Sequence, residues 1–270
     1  MDEAISVIMA CYNCETTLSK AIDSIINQTY PDWKMICCDD GSSDNTLAVL
    51  YDYQKRYPDR FIVIKNDINM RLPYSLNHCL KYVDTKYVAR MDADDWSAPN
   101  RFEKQIAYLQ THPDVDLVGT AMTIYNGTEI VGSMVKEEKV DRDSIAKSPC
   151  FCHATIMTYK YVYDRLGGYS LKKKNLRVED AELWFRFFAE GFKGANIQEE
   201  LYVVTDDDNA YKRRKFSLRI NAMRTLFDGY RLLKYPIWRY PLVVLPVLKG
   251  LAPRFIYDKF RNKGFKTNED

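Results

Sequence analysis

An α/β fold, with a mostly parallel sheet flanked by helices, is what this sequence of 270 residues predicts. Three observations carry that prediction. Short apolar runs alternate with amphipathic stretches of helical length through the first ninety residues, which is the rhythm of βαβ units. Polar clusters follow three of those runs: "CYNCE" at 11–15, "DDGSSD" at 39–44 and "DADD" at 92–95. In open α/β sheets ligands gather at the carboxyl ends of strands, so three clusters on one edge predict a site. The last fifth of the chain then changes character. Residues 211–266 hold 15 Lys and Arg against 2 Asp and Glu, a net +13 in a chain whose total is +2.

The elements follow in order. "AISVIMA" (4–10) reads as a buried strand. Thr16 and Thr17 offer an N-cap before a helix with Leu18, Ile22, Ile25 and Ile26 on one face. "WKMICCD" (33–39) is a second strand. Ser43 and Asp44 cap a helix through Arg56 that turns Leu47, Leu50 and Tyr51 inward. "RFIVIKN" (60–66) is a third strand, and Pro73 suits the first turn of a helix through Lys81. "KYVARM" (86–91) is the fourth. Asn126-Gly127 marks a hairpin within 116–135. Strands are expected over 153–159 and 198–204. Between them lies a helix over 178–191, with Leu183, Phe187 and Phe188 inward and Gly191 at its end. This divides the chain into an α/β unit, 1–210, expected to carry the site, and a helical, basic, aromatic-rich extension, 211–270.

At 46% hydrophobic, the chain can bury one sizeable core. Its seven cysteines are odd in number and scattered, which predicts reduced thiols. Nothing completes Cys11-x-x-Cys14 into a zinc site. The N-terminus runs straight into a strand without a secretory signal, so a cytoplasmic location is expected. The extension is too interrupted for a membrane span, by Arg239, Pro241, Pro246 and Lys249. It reads as an interfacial element on the inner face of the cell membrane. Tyr235, Trp238 and Tyr240 would sit at headgroup level, and Arg231, Lys234, Arg239 and Lys249 would face anionic lipid. The alternative is a set of helices packed on the α/β unit. No nucleic-acid recognition motif is present, so no nucleic-acid partner is expected.

Asp92, Asp94 and Asp95 pose the sharpest question. Three carboxylates within four residues at the end of a buried strand repel one another, and desolvating them is costly. A cation or a polyhydroxyl ligand would relieve that cost, and so would a solvated turn. Strand alternation sends Asp92 and Asp94 to one side and Ala93 to the other.

The stretches "SVIMACYNCETTLSKAIDSIINQTY", "CCDDGSSDNT", "MDADDWSAPNRFEKQI", "HATIM" with "LGGYS", and "VEDAELWFR" occur in that order. Over residues 5–190 the chain resembles the inverting, nucleotide-sugar-dependent glycosyltransferases of family 2, which have the Rossmann-like GT-A fold. It departs from them at Ala10-Cys11, where the family often has Pro before Tyr-Asn. "YVVTDDDNAYKRR" also lacks the Arg and His of a run common after the last strand. The resemblance implies that Asp40 accepts a hydrogen bond from a pyrimidine ring N–H. Tyr12 would stack on the base, with Ala10 and Glu15 beside it. Asp92 would reach the ribose, and Asp94 would bind Mn²⁺ or Mg²⁺ between the two phosphates, with Asp95 supporting the turn. Asp180 is the implied general base and Glu179 its alternate; an ordinary helix cap is the plain alternative for Asp180. His153 would line the site, and Trp184 and Arg186 would shape the acceptor pocket. Arg71, near the end of the third strand, could touch a phosphate. The implied reaction moves a sugar from a UDP- or dTDP-sugar to a carbohydrate acceptor, lipid-linked or polysaccharide. A nucleotidyltransferase would usually show a Gly-rich basic loop after its first strand, which "CYNCETT" is not. Intact Asp92, Asp94 and Asp180 argue against a non-catalytic binding module.

Overall fold

The computed structural model describes residues 3–147, 149–205 and 216–251. Strands β1 (Ile5–Cys11), β2 (Trp33–Asp39), β3 (Phe61–Lys65) and β4 (Tyr87–Arg90) lie parallel in the order β3-β2-β1-β4. Helices α1 (Leu18–Ile26), α2 (Thr46–Arg56) and α3 (Leu72–Leu80) make the crossovers. These strands are nearly continuously apolar because both faces are covered. Val7 and Met9 join the core with α1, while Ile8 points into the opposite core with Leu76 and Cys79 of α3.

The second half is mixed. It runs through β5 (Trp96–Ser97), α4 (Arg101–Thr111), β6 (Leu117–Tyr125), β7 (Ile130–Met134), β8 (Lys139–Val140) and α5 (Arg142–Lys147). It continues with β9 (Met157–Tyr159), α6 (Lys160–Leu166), α7 (Glu179–Ala189) and β10 (Gly194–Thr205). β9 joins β4 to β6 with antiparallel pairings, and β10 runs parallel to β6 with register shifts. The hairpin at Asn126-Gly127 forms as expected, joining β6 to β7.

Several local expectations need correction. The strand expected over 153–159 opens as a 3₁₀ turn, His153–Thr155, because the buried Thr155 hydroxyl turns back to Cys152 O at 2.9 Å. The last strand begins four residues early, at Gly194. Tyr51 is exposed and Tyr53 is buried in its place; α2 starts at Thr46, so Thr46, Leu50 and Tyr53 share the inner face. Thr17 occupies the N-cap of α1, but its hydroxyl donates to Ala93 O at 2.9 Å and ties the helix to the acidic turn. All seven cysteines are free thiols.

Beyond β10, α8 (Phe216–Leu232) packs on α7, followed by a 3₁₀ segment, Ile237–Val244, and α9 (Leu245–Leu251). Gly229 makes the contact possible: a Cβ there would lie 2.3 Å from the Phe185 ring. Tyr230, Leu233, Tyr235 and Val243 enter the same core as Trp184 and Phe187. This corrects the reading of the extension. Tyr235 is buried and its hydroxyl donates to Arg142 O. Tyr240 packs on Tyr230 and Phe227, and Arg239 pairs with Asp143. These three residues dock the extension on the α/β unit, Tyr235 fully and Tyr240 and Arg239 in part, so they are not the freely exposed set expected. Trp238, Arg231 and Lys234 are exposed, while the Lys249 side chain and residues 252–270 lie outside the described parts. Among the described residues no helix is long and apolar enough to cross a membrane.

Candidate active site

The ends of β1, β2 and β4 meet at one sheet edge, where the polar clusters of β1 and β2 form one corner of a site and that of β4 a second. At the end of β2, Asp40 is 3% exposed. Its Oδ1 accepts hydrogen bonds from Asn66 Nδ2 and Met70 N, and its Oδ2 from Arg71 N, each at 2.8 Å. Arg71 has φ +79°, a backbone region that non-glycine residues rarely occupy and that persists only where surroundings impose it. Asp40 imposes it. Gly41, at φ +70°, lets the two loops press together, since a Cβ would meet the Ile68 carbonyl carbon at 2.7 Å. Asp40 therefore first builds the loop that presents the exposed Arg71, and a carboxylate with about four acceptor positions keeps one for a ligand. Tyr12, 49% exposed, and half-buried Ala10 stand beside it at the end of β1.

Glu15, beside them, also has a structural task. Its Oε2 accepts from Asn45 N at 2.9 Å and its own N–H donates to Asp44 Oδ2 at 3.1 Å. It knits the loop after β1 to the start of α2, where the helix dipole favours a carboxylate. Asn45, and not Ser43 or Asp44, occupies the N-cap of α2, while Asp44 Oδ1 accepts from Thr46 N at 3.0 Å one residue before it.

At the end of β4 the charge conflict finds its answer in a residue the sequence reading passed over. Arg90 is 1% exposed and its Nη1 donates to Asp92 Oδ1 at 2.6 Å. Burial works against the guanidinium charge, but Asp92 outweighs it and holds Arg90 protonated more firmly than usual. Ala93 is buried while Asp94 is exposed, as strand alternation requires. Asp95 is buried, and its Oδ1 accepts from Thr205 N at 2.8 Å; the Thr205 hydroxyl donates to Asp94 O at 2.6 Å. The end of β10 thus clamps the acidic turn. Burial, then the charges of Asp92 and Asp94, push the Asp95 carboxyl well above the ordinary carboxylate range. Two further supports carried no sequence signal. Tyr202 Oη accepts from Asp92 N at 3.1 Å, and fully buried Arg101 donates to Arg90 O at 3.3 Å.

The third corner is the start of α7. Val178 occupies the N-cap, so Asp180 lies inside the first turn, its Oδ1 accepting from Ala181 N at 2.7 Å. Asp180 is thus not the N-cap residue itself, although it satisfies an N–H of the first turn. Burial raises its carboxyl, and the backbone N–H groups of Ala181 and Asp180 and the charge of Arg90 partly offset that. Burial also raises Glu179, which is 8% exposed. His153 Nε2 shares a 2.8 Å hydrogen bond with Tyr169 Oη. Burial, then Arg90, push His153 well below its usual range, so it stays neutral. Trp184 is buried edge-on to His153 and Phe151 as part of the core. Arg186 braces the "LGGYS" turn through Leu166 O at 2.6 Å and Gly168 O at 2.9 Å. Arg90 is thus the common electrostatic neighbour of Asp92, Asp180 and His153.

Among the described residues no three His, Cys, Asp or Glu side chains form a ready metal cage. The donor set, an exposed Asp94 carboxylate beside Asp92, suits a hard dication that completes its shell with phosphate and water oxygens.

Known proteins resemble this chain. "Putative glycosyltransferase EpsE" of Bacillus subtilis (strain 168) is 40% identical over 259 residues, covering 96% of this chain and 93% of its own. "UDP-Glc:alpha-D-GlcNAc-diphosphoundecaprenol beta-1,3-glucosyltransferase WfgD" of Escherichia coli is 31% identical over 147 residues, 54% of this chain and 56% of its own. Residues 1–349 of S. aureus TarS, solved with UDP, superpose with a TM-score of 0.69 at 18% identity, over 96% of this chain and 74% of that one, and so share the GT-A fold. The model of "Glycosyl transferase family 2" matches residues 6–167, from β1 through α6 and across the first two corners of the site. The chain accordingly belongs to glycosyl transferase family 2.

Proposed function

We propose that this glycosyltransferase moves a sugar, with inversion, from a UDP- or dTDP-sugar to a lipid-linked or polysaccharide acceptor. One contrast carries the reading: Asp92 and Asp94 open one side of the site, while Asp180, with raised proton affinity, stands separately across Arg90. The UDP bound to TarS supports a uridine nucleotide, and the diphosphoundecaprenol acceptor in the name of WfgD supports a lipid-linked one.

In this reading Tyr12 stacks on the base, Asp40 takes the ring N–H with its remaining acceptor position, and the loop it holds presents Arg71 to the diphosphate. Asp92, fixed by Arg90, directs its second oxygen to the ribose. Asp94 would hold Mn²⁺ or Mg²⁺, which when bound neutralises charge on the leaving diphosphate. Asp180 accepts the proton of the acceptor hydroxyl as that oxygen attacks the anomeric carbon from the face opposite the leaving nucleotide. The new C–O bond forms as the old one breaks, and the configuration inverts. A carboxylate with raised proton affinity is a better base than an exposed one.

The extension supports a seat on the inner face of the cell membrane through fewer residues than composition suggested. Ile237 and Trp238 are 83% and 69% exposed beside Arg231 and Lys234. Sedimentation of the full chain with anionic but not neutral vesicles checks it, and equal behaviour with both removes it.

Thermal unfolding with UDP, dTDP and GDP, each with Mn²⁺ or chelator, tests the assignment. Selective stabilisation by the pyrimidine nucleotides in Mn²⁺ is expected by linkage. Equal stabilisation by GDP removes the pyrimidine assignment, and no dependence on Mn²⁺ removes the role of Asp94.

A further inference from the structure

Between the start of α7 and the C-terminal segment lies a pocket of about 410 Å³ with Asp180 in its lining. That is within the range of small-molecule sites, about 300–1,000 Å³. The walls opposite Asp180 are apolar: Leu226 of α8, then Leu242, Leu245 and Pro246. A sugar alone has no use for such walls, because its hydroxyls would lose hydrogen bonds to water without replacement. Two cations share the lining, Arg177 and Arg219. Arg219 Nη1 donates to Pro246 O at 3.3 Å, which carries its charge across to the apolar wall. Arg177 holds φ +65° at the exposed rim, directly before the turn that bears Asp180. Leu242 and Leu245 remain 40% and 41% exposed, so the apolar wall of the pocket reaches the surface.

Three chemistries therefore adjoin one another: a base for a hydroxyl, cations for an anion, and apolar walls for an alkyl chain. We propose that this pocket binds the aglycone of the acceptor, an alkyl phosphate or diphosphate ester, and thereby selects lipid-linked sugars over free ones. The phosphate pairs with Arg177 and Arg219, and the first carbons of the chain lie against Leu226, Leu242 and Leu245. The chain leaves over the exposed face, so the acceptor is loaded from a lipid surface without leaving it. This rests on the transferase reading for the role of Asp180, but binding of the alkyl phosphate needs only the pocket.

The test uses the full chain, followed by thermal unfolding and intrinsic tryptophan fluorescence, with undecyl phosphate below its micellar concentration. Undecanol and inorganic phosphate are the fragment controls, and UDP with Mn²⁺ is the reference ligand. Undecyl phosphate should stabilise the protein more than the two fragments together. Leu242→Asp should weaken it by about tenfold, by placing a carboxylate where the chain and phosphate meet. Arg177→Gln should weaken it by about threefold to tenfold. Both variants should keep the wild-type stabilisation by UDP, which shows them folded. Equal binding of undecyl phosphate and undecanol, or undecyl phosphate binding unchanged in Leu242→Asp, overturns the proposal. A protein that binds undecyl phosphate but ignores every nucleotide would leave the pocket assignment standing and remove the transferase reading instead.

Discussion

Asp40, Asp92 and Asp95 each sit in the grip of groups brought from elsewhere in the chain. Asp40 holds Asn66, Met70 and Arg71, Asp92 N donates to Tyr202 Oη, and Asp95 receives Thr205 N from the end of β10. Among the described residues Asp180, which also feels the charge of Arg90, is held by backbone N–H groups at the start of its own helix. The two sides divide the labour. Groups that hold a ligand are fixed in place by long-range partners before it arrives, which lowers the cost of ordering on binding. Asp180, the base of the proposed reaction, is left under-solvated, so that taking a proton would relieve it.

Substituting amides for carboxylates probes that contrast, and the largest effect belongs to Asp180. Asp180→Asn keeps the shape and the acceptor for Ala181 N but cannot take a proton. Turnover should fall by about 10²–10⁴-fold, with stabilisation by UDP unchanged. Near wild-type transfer would move the base elsewhere, with Glu179 first to examine. Asp40→Asn should behave the other way, as a fault in construction. An amide N–H₂ cannot accept from both Met70 N and Arg71 N, and the strained Arg71 backbone loses its anchor. Denaturant unfolding should show a loss of about 2–4 kcal/mol, with nucleotide stabilisation lost as well. A fully stable Asp40→Asn protein would mean that the loop is held by other contacts.

The smallest effect has the opposite sign. Burial raises the folded-state proton affinity of Asp180, so the folded chain binds a proton more readily than the unfolded one. The ionised carboxylate therefore costs stability at neutral pH, and the cost fades as pH falls through the raised value toward about 4, where the unfolded carboxyl titrates. Asp180→Asn should thus melt a few degrees above wild type at pH 8, at roughly 4–8 °C per kcal/mol for a small domain and less for a larger one, with the gap closing in acid. A variant that melts below wild type at pH 8 would show that the carboxylate stabilises its helix start.

Much of this was legible in sequence for a definite reason. β1 to β4 are apolar on both faces and their crossovers are amphipathic, so local pattern and tertiary burial agree. The three clusters were legible because a parallel topology fixes which strand ends share an edge. What stayed hidden depends on contacts distant in sequence. Arg90 reads as a polar flank until it is seen to be 1% exposed, and nothing near Asp40 announces that Met70 and Arg71 will turn their N–H groups toward it. The bond of Glu15 to a helix start 30 residues away is likewise invisible locally. The extension misled through ambiguity. Aromatic and basic residues on an amphipathic segment suit a bilayer surface and a protein surface equally, and Tyr235, Tyr240 and Arg239 took the second.

Gly229 gives the docking of that extension a built-in gauge. A glycine inside a helix costs about 0.5–1 kcal/mol relative to alanine, so α8 would be a sturdier helix with a methyl there. The Phe185 ring leaves no room for one, at 2.3 Å from the missing carbon. Because Leu226 lies one turn earlier on α8 and lines the pocket beside Asp180, the spacing set at Gly229 also sets the bore of that pocket. Any side chain at 229 would act as a shim, tightening the helix while prising its wall outward. A change that leaves every charged residue of the site untouched could thereby retune which chains the enzyme admits.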